Sequence, residues 1–187
     1  NTVYEGGFAP NLETEKELTL NNLEEGTEIG IVSIDSDGTW ASATRPVAFA
    51  SGTKEDLQYF SSDREGVALY VENGKLMQGN AASFSSLQEL LDSTANNGTV
   101  TLMQSIRASE ADFVNLAKSG LDSLTLHGTK TVTLDLNGYT LDANKLGRVL
   151  TVTGGAALIV KDSSNPSTGK ITGGKAEGNV GEFAKIN

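Results

Sequence analysis

The chain has no cysteine. That absence excludes disulfides, thiolate metal sites, a cysteine nucleophile and a cysteine-derived internal thioester. Histidine is nearly missing too: His127 is the only one. A Ser-His-Asp triad would have to be built around it, no G-x-S-x-G elbow is present to pair with it, and a structural zinc site is disfavoured. Basic residues are few, 14 Lys and Arg against 24 Asp and Glu, for a net charge of −10 and a pI near 4.5. This balance disfavours nucleic acid, whose phosphates require clustered Lys and Arg. No apolar run approaches the ~18 residues of a membrane span, so no membrane insertion is expected. No basic-then-apolar leader stands at Asn1, which sets the expectation of a mature or trimmed chain.

What remains is a chain of 187 residues with 37% hydrophobic residues, enough for a core in one large all-β domain or two small ones. Abundant Gly, Thr, Ser, Asn and Asp beside zero cysteine is compatible with an exported bacterial surface protein. Residues 1–80 read as a β-rich module, with short strands at 17–20, 28–34, 39–43, 47–50 and 67–77. Asn73-Gly74 predicts a hairpin, because a type I′ turn needs positive φ at both central positions. Residues 21–26 and 35–38 read as turns, and Arg45-Pro46 as an extended corner. A short helix is expected within 53–62, with Thr53 as its N-cap. The expected fold of this half is a small β-sandwich or a barrel-like module.

From residue 81 onward the pattern changes. Residues 79–86 read as a small-residue connector, and Ser86 with Glu89 fits a capping box before a helix whose apolar face is Leu87, Leu90 and Leu91. Asn96-Asn97-Gly98 ends it and launches a strand at 99–103. Ser109 offers a second N-cap, Phe113, Leu116 and Ala117 share a face, and Gly120 closes that helix. Then short strands recur from Thr131 to Gly174 with Gly, Asn or Asp at each corner, where left-handed backbone is adopted at least cost. Self-alignment places Leu134 over Val152 over Ile171, and Leu141 over Val160, in steps of 18 or 19 residues. A period near 20 fits a stacked coil of parallel strands, with a plain antiparallel meander as the alternative.

The segments carrying this pattern are Asn97-Gly98-Thr99-Val100-Thr101-Leu102, residues 132–141 (VTLDLNGYTL), residues 150–158 (LTVTGGAAL), Lys161-Asp162-Ser163-Ser164 and residues 169–174 (GKITGG). Over about residues 97–174 the chain resembles the right-handed parallel β-helix segments, similar to the pectin-lyase fold, of large exported proteins of Gram-positive bacteria. The resemblance implies a mainly β chain: the N-terminal module, two short helices, then the first rungs of a right-handed parallel β-helix. It also implies an extracellular or cell-wall location. It does not choose a reaction, because the fold hosts lyases, hydrolases, tailspikes, adhesins and inert stalks. Only two or three rungs are seen. Either residues 175–187 cap the coil, or the chain is a fragment whose polypeptide continues, the reading favoured here.

Four groups of residues are candidates for chemistry. Asp35-Ser36-Asp37-Gly38 resembles the start of a calcium loop, but Thr39-Trp40-Ala41 follows where further ligands belong, and a turn between strands is the favoured reading. Asp135, Asp142 and Asp162 with Arg148 and Lys161 are charged positions of the coil. Lyases of the fold hold calcium with acids and abstract a proton with a base, whereas a solvated face or corner hydrogen bonding is the plain reading. Paired carboxylates for glycoside hydrolysis cannot be assigned from sequence. Trp40, Tyr59, Phe60 and Tyr70 either stack on sugar rings or form the core of the first half. No catalytic or metal residues and no cofactor are therefore assigned. The expected function is a non-catalytic surface or adhesion module that binds polysaccharide or host glycan. The alternatives are a β-helix polysaccharide lyase or glycoside hydrolase with its catalytic rungs outside this chain, and a purely structural stalk.

Overall fold

The computed structural model describes residues 18–20, 23, 25–34 and 37–175. The chain is mainly β with two α-helices, and it divides into two compact units, Asn1–Ala82 and Ser83–Asn187.

The first unit contains β1 (Ile29–Ile31), β2 (Val47–Ser51), a 3-10 helix (Glu55–Tyr59), β3 (Phe60–Ser62), β4 (Val67–Glu72) and β5 (Lys75–Ala81). Asn73 and Gly74 both have positive φ, 50° and 74°, and turn β4 into β5 as the type I′ hairpin requires. β5 is the centre of the antiparallel sheet β2-β5-β4, while β1 and β3 pair in parallel. These are two separate sheets, and no closed barrel forms among the described residues. Ile31, Phe49, Ala50, Phe60 and Leu76 form the core, with Phe49 and Phe60 edge to face at 5.2 Å. The fully buried Gln78 ties the sheets together. Its Oε1 accepts from Ser33 N at 2.6 Å, and its Nε2 donates to Ile31 O and to Ser62 Oγ, each at 2.8 Å.

Three expectations for this region are corrected. Residues 79–81 continue β5 rather than forming a connector. Gly79 is needed there because a Cβ would stand 2.5 Å from Pro46 Cα across the sheet face. The helix is a 3-10 turn preceded by Lys54 and without a side-chain cap. Thr53 instead donates, through N at 2.7 Å and Oγ1 at 3.0 Å, to the Asp56 carboxylate. Residues 39–43 make only isolated bridges, Ile34 to Trp40 and Ser42 to Arg45. Of the strand expected at 17–20, Leu18 bridges Ala50. Glu17, part of the turn at 21–26, and Asp35 and Ser36 lie outside the described residues, as does 176–187.

The second unit contains α1 (Phe84–Ser93), β6 (Gly98–Thr101), β7 (Ile106–Arg107), α2 (Glu110–Lys118), β8 (Leu124–Leu126), β9 (Thr131–Asp135), β10 (Thr140–Asp142), β11 (Leu150–Val152), β12 (Ala157–Lys161) and β13 (Lys170–Thr172). All its strand pairs are parallel, in three small sheets ordered β12-β9-β6, β13-β10-β7 and β11-β8. The chain therefore visits the three sheets in a fixed order, repeats the visit, and begins it again. No strand pairs with its sequence neighbour, which removes the antiparallel meander. α2 lies inside the first pass, between β7 and β8, rather than before the strands.

The expected register is also corrected. Leu134 lies between Val100 and Val160, Leu141 between Ile106 and Ile171, and Val152 beside Leu126. Successive passes are thus offset by 26 to 35 residues, as between Leu134 and Val160 or Ile106 and Leu141. The 18- and 19-residue steps connect strands on different sheets, whose apolar-polar alternation is the same. The columns that result are buried at their middle members, with Val132, Leu134 and Leu141 fully inside. The outermost strands of two sheets are more open: Val160, beside Leu134, is 45% exposed, and Val152, beside Leu126, 44%.

α1 also begins earlier than expected. Ser83 is its N-cap and exchanges capping-box hydrogen bonds with Ser86. This start brings Phe84 into the interior, and the buried face becomes Phe84, Leu87, Gln88 and Leu91, the i, i+3, i+4, i+7 stripe of a core-facing helix. Three polar contacts fix the helix. Asp112 Oδ1 accepts from Ser85 N at 2.9 Å and Ser85 Oγ at 3.0 Å near its start. Gln88 pairs with Thr125 of β8 at its middle, Oε1 accepting from Thr125 N at 2.7 Å and Nε2 donating to Thr125 O at 2.9 Å. Lys130 Nζ donates to the carbonyls of Leu91, Asp92 and Thr94 at its end, where the helix leaves carbonyls unpaired.

Candidate functional site

Of the four aromatic residues that sequence reading singles out, three are structural. Phe60 belongs to the core, Tyr59 packs against it, and Tyr70 is buried. Burial, with Glu72 nearby, pushes the Tyr70 phenol up to about 12. Trp40 alone faces outward, 45% exposed.

Local geometry explains why. Ala41, the next residue, is completely buried, and its N donates to Ser33 O at 2.8 Å. Neighbouring side chains on extended backbone point to opposite sides, so a buried Ala41 sends Trp40 out. The bridge between Ile34 and Trp40 holds one side of the loop. Asp37 holds the tip, accepting from Thr39 N at 2.9 Å and pairing with Arg45. The guanidinium carbon of Arg64 lies 5.7 Å from the centroid of the Trp40 ring, within cation-π range. Asp37, the described acid of the suspected calcium loop, is thus engaged in holding the turn.

The charged residues of the second unit are engaged at corners. Asp162 Oδ1 accepts from Gly138 N at 2.7 Å, Ser164 N at 3.2 Å and Ser164 Oγ at 2.7 Å, while its Oδ2 accepts from Gly169 N at 2.6 Å. Desolvation raises its pKa, but the hydrogen bonds from Ser164, Gly169 and Gly138 together outweigh it and hold the carboxyl at about 2. Asp135 is buried, and its Oδ1 accepts from Asn137 N and Ser163 N, each at 3.0 Å. Lys161 Nζ lies 3.2 Å from its other oxygen. Burial raises the Asp135 pKa, whereas Ser163, Lys161 and Asn137 lower it further, so it too falls below the usual carboxylate range.

Asp142 sits on a different sheet. It accepts from Asn144 N at 2.8 Å and stands 3.8 Å from Arg107 Nε. Arg148 pairs with Asp122 at 3.4 Å rather than with any of these acids. Asp135 and Asp162 thus serve the same corner, residues 137–138 and 163–169, while Asp142 and Arg148 are engaged elsewhere. Among the described residues, no group of three His, Asp or Glu side chains is placed to hold a metal ion. His127 is exposed, one residue beyond β8.

No protein-family model, curated protein or solved structure matches the chain. Site assignment therefore stands on geometry, and Trp40 with Arg64 is the candidate. A cleft of about 270 Å³ in the same unit is lined by residues 25–28 and 58–60, where Glu25 and Glu28 stand beside Tyr59 and Phe60, the two aromatics already placed with the core. No helix among the described residues is long and apolar enough to cross a membrane. The sequence singles out Trp40 as one of four aromatics. It carries no sign of Arg64, which lies in a turn 24 residues away.

The corner acids give a prediction about acid stability. The Asp162 pKa is lower folded than unfolded, about 2 against ~3.9. Its stabilisation is complete above the unfolded value and is lost as pH falls through the folded one. Asp162→Asn is expected to flatten the loss of stability between about pH 4 and pH 2. Urea midpoints of both proteins across that window check this, and identical pH dependence would remove Asp162 as the coupled group.

Proposed function

We propose that the chain is a non-catalytic module of an extracellular or cell-wall protein that binds glycan through Trp40. In this reading the second unit is the start of a right-handed parallel β-helix of the pectin-lyase-like kind, used as a rigid support. The polypeptide then continues with further rungs. The observation that carries the proposal is Trp40: an indole held outward by its own backbone while the other three aromatics fill the core. An exposed aromatic side chain of this sort suits the apolar face of a sugar ring. Two further features support the reading. Asp135 and Asp162, the acids a lyase would need free, hold backbone amides at corners instead. The outermost strands β11 and β12, with Val152 and Val160 half exposed, suit more stacked strands.

A glycan array covering plant and host polysaccharides tests the proposal. Binding is expected, and Trp40→Ala should weaken it by at least about tenfold, or ~1.4 kcal/mol, with unchanged thermal unfolding. A blank array would leave the unit a mechanical spacer and overturn the binding reading. Incubation with acidic polysaccharide and calcium tests the rest. Unsaturated uronide products absorbing in the ultraviolet, and abolished by Asp135→Ala or Arg148→Ala, would make the module a lyase.

A further inference from the structure

We infer that the sugar bound at Trp40 carries a carboxylate and that Arg64 reads it. This rests on the glycan-binding proposal and narrows it to a class of ligand. The chain has 24 acidic residues for 14 basic ones, so an arginine ordinarily finds a carboxylate close at hand. Three of the four arginines do: Arg45 pairs with Asp37, Arg107 with Asp142 and Arg148 with Asp122. Arg64 is the exception. Among the described residues no carboxylate lies within ion-pair distance of it, and its guanidinium stands over Trp40 instead.

The position is built rather than incidental. Ser62 Oγ donates to Arg64 O at 3.1 Å and accepts from Arg64 N at 3.3 Å, closing the turn on which Arg64 stands. Asp63 N donates to Ile31 O at 3.0 Å and fastens that turn to β1. Two acids flank Arg64 in sequence: the Asp63 carboxylate lies against Gly30, where a Cβ would collide with it, and Glu65 is exposed and makes no ion pair with Arg64. An exposed indole and a half-buried guanidinium without a carboxylate partner therefore adjoin. A sugar ring stacked on an indole can place a ring carboxylate at its edge, where the planar fork of arginine donates two parallel hydrogen bonds. A neutral sugar would use the indole and leave the guanidinium without a partner.

Trp40 is the only tryptophan in the chain, so its fluorescence reports this surface alone. The test titrates the full chain with a glucuronate-containing tetrasaccharide and with its methyl ester, which has the same rings and no charge. The acid form is expected to change Trp40 emission and to bind at least about tenfold more tightly than the ester. Arg64→Met keeps an unbranched aliphatic side chain without the charge and should abolish the preference while leaving ester binding in place. Arg64→Lys, a charge without the fork, should restore it in part. Equal binding of acid and ester by the native chain, or a preference that survives Arg64→Met, overturns the inference and leaves glycan binding standing. If neither form binds and the array is also blank, the glycan proposal falls and takes this inference with it.

Discussion

Gln88→Leu is expected to destabilise the second unit by about 3 kcal/mol, although leucine is as large and more apolar. The reason is the partner it deserts. Gln88 meets both the N–H and the C=O of Thr125 with a single primary amide, as a neighbouring strand would. Among the described residues β8 has β11 on one side and no strand on the other, so the amide occupies an edge that would otherwise be buried and unpaired. Each buried group left without a partner costs roughly 1–3 kcal/mol, and extra hydrophobic burial recovers only part of that. A lower urea midpoint at an unchanged denaturant slope checks the prediction.

Gln88→Glu separates hydrogen bonding from packing. Its carboxylate keeps an acceptor for Thr125 N but faces Thr125 O and the Asp92 carboxylate, which accepts from Gln88 Nε2 at 2.9 Å, so its folded pKa rises. The penalty is full above that raised value and is relieved as pH falls through it, because the protonated acid donates again. A Glu variant equally unstable at about pH 8 and about pH 5 would show that the amide pairing is not what holds α1.

Asp112→Ala is expected to cost about the same, roughly 3 kcal/mol, and to loosen both helices together. Asp112 closes the capping box of α2, its Oδ2 accepting from Ser109 N at 2.9 Å and Ser109 Oγ at 2.8 Å. Its other oxygen serves α1 through Ser85. One carboxylate thus faces the N-terminal ends of two helices, where negative charge is favoured. Burial raises its pKa, but the hydrogen bonds from Ser85 and Ser109 prevail and lower it. Its stabilisation is therefore present above the unfolded value and fades as pH falls below it. Asp112→Asn should recover little, because its NH2 group would confront one of the two pairs of donors. Loss of amide-exchange protection in α2 alone, with α1 unchanged, would contradict the shared role.

Local chemistry was legible in the sequence where it is self-contained. Asn73-Gly74 and the Ser109 cap depend on residues a few positions apart, and each appears where expected. Partner choice was not legible. Three sheets share one alternation of apolar and polar residues, so a regular interval linked Leu134 to Val152 when its neighbour is Val160. The same limit hid the second duty of Asp112, whose partner Ser85 is 27 residues away. It also hid Gln88, which reads as the polar side of a helix until Phe84 is seen to be buried. For the aromatics, a strand-rich segment shows alternation but not its phase, and only the burial of Ala41 assigns Trp40 to the outside.

The amide of Gln88 has one more effect, on assembly. A stack of parallel strands is in principle a template at both ends, and copies joined head to tail would polymerise without limit. Here the β8 edge is already filled by a side chain of its own chain, so an incoming copy cannot match all three ladders from that side. Head-to-tail polymerisation, which needs all three ladders to match at every junction, is thereby hindered.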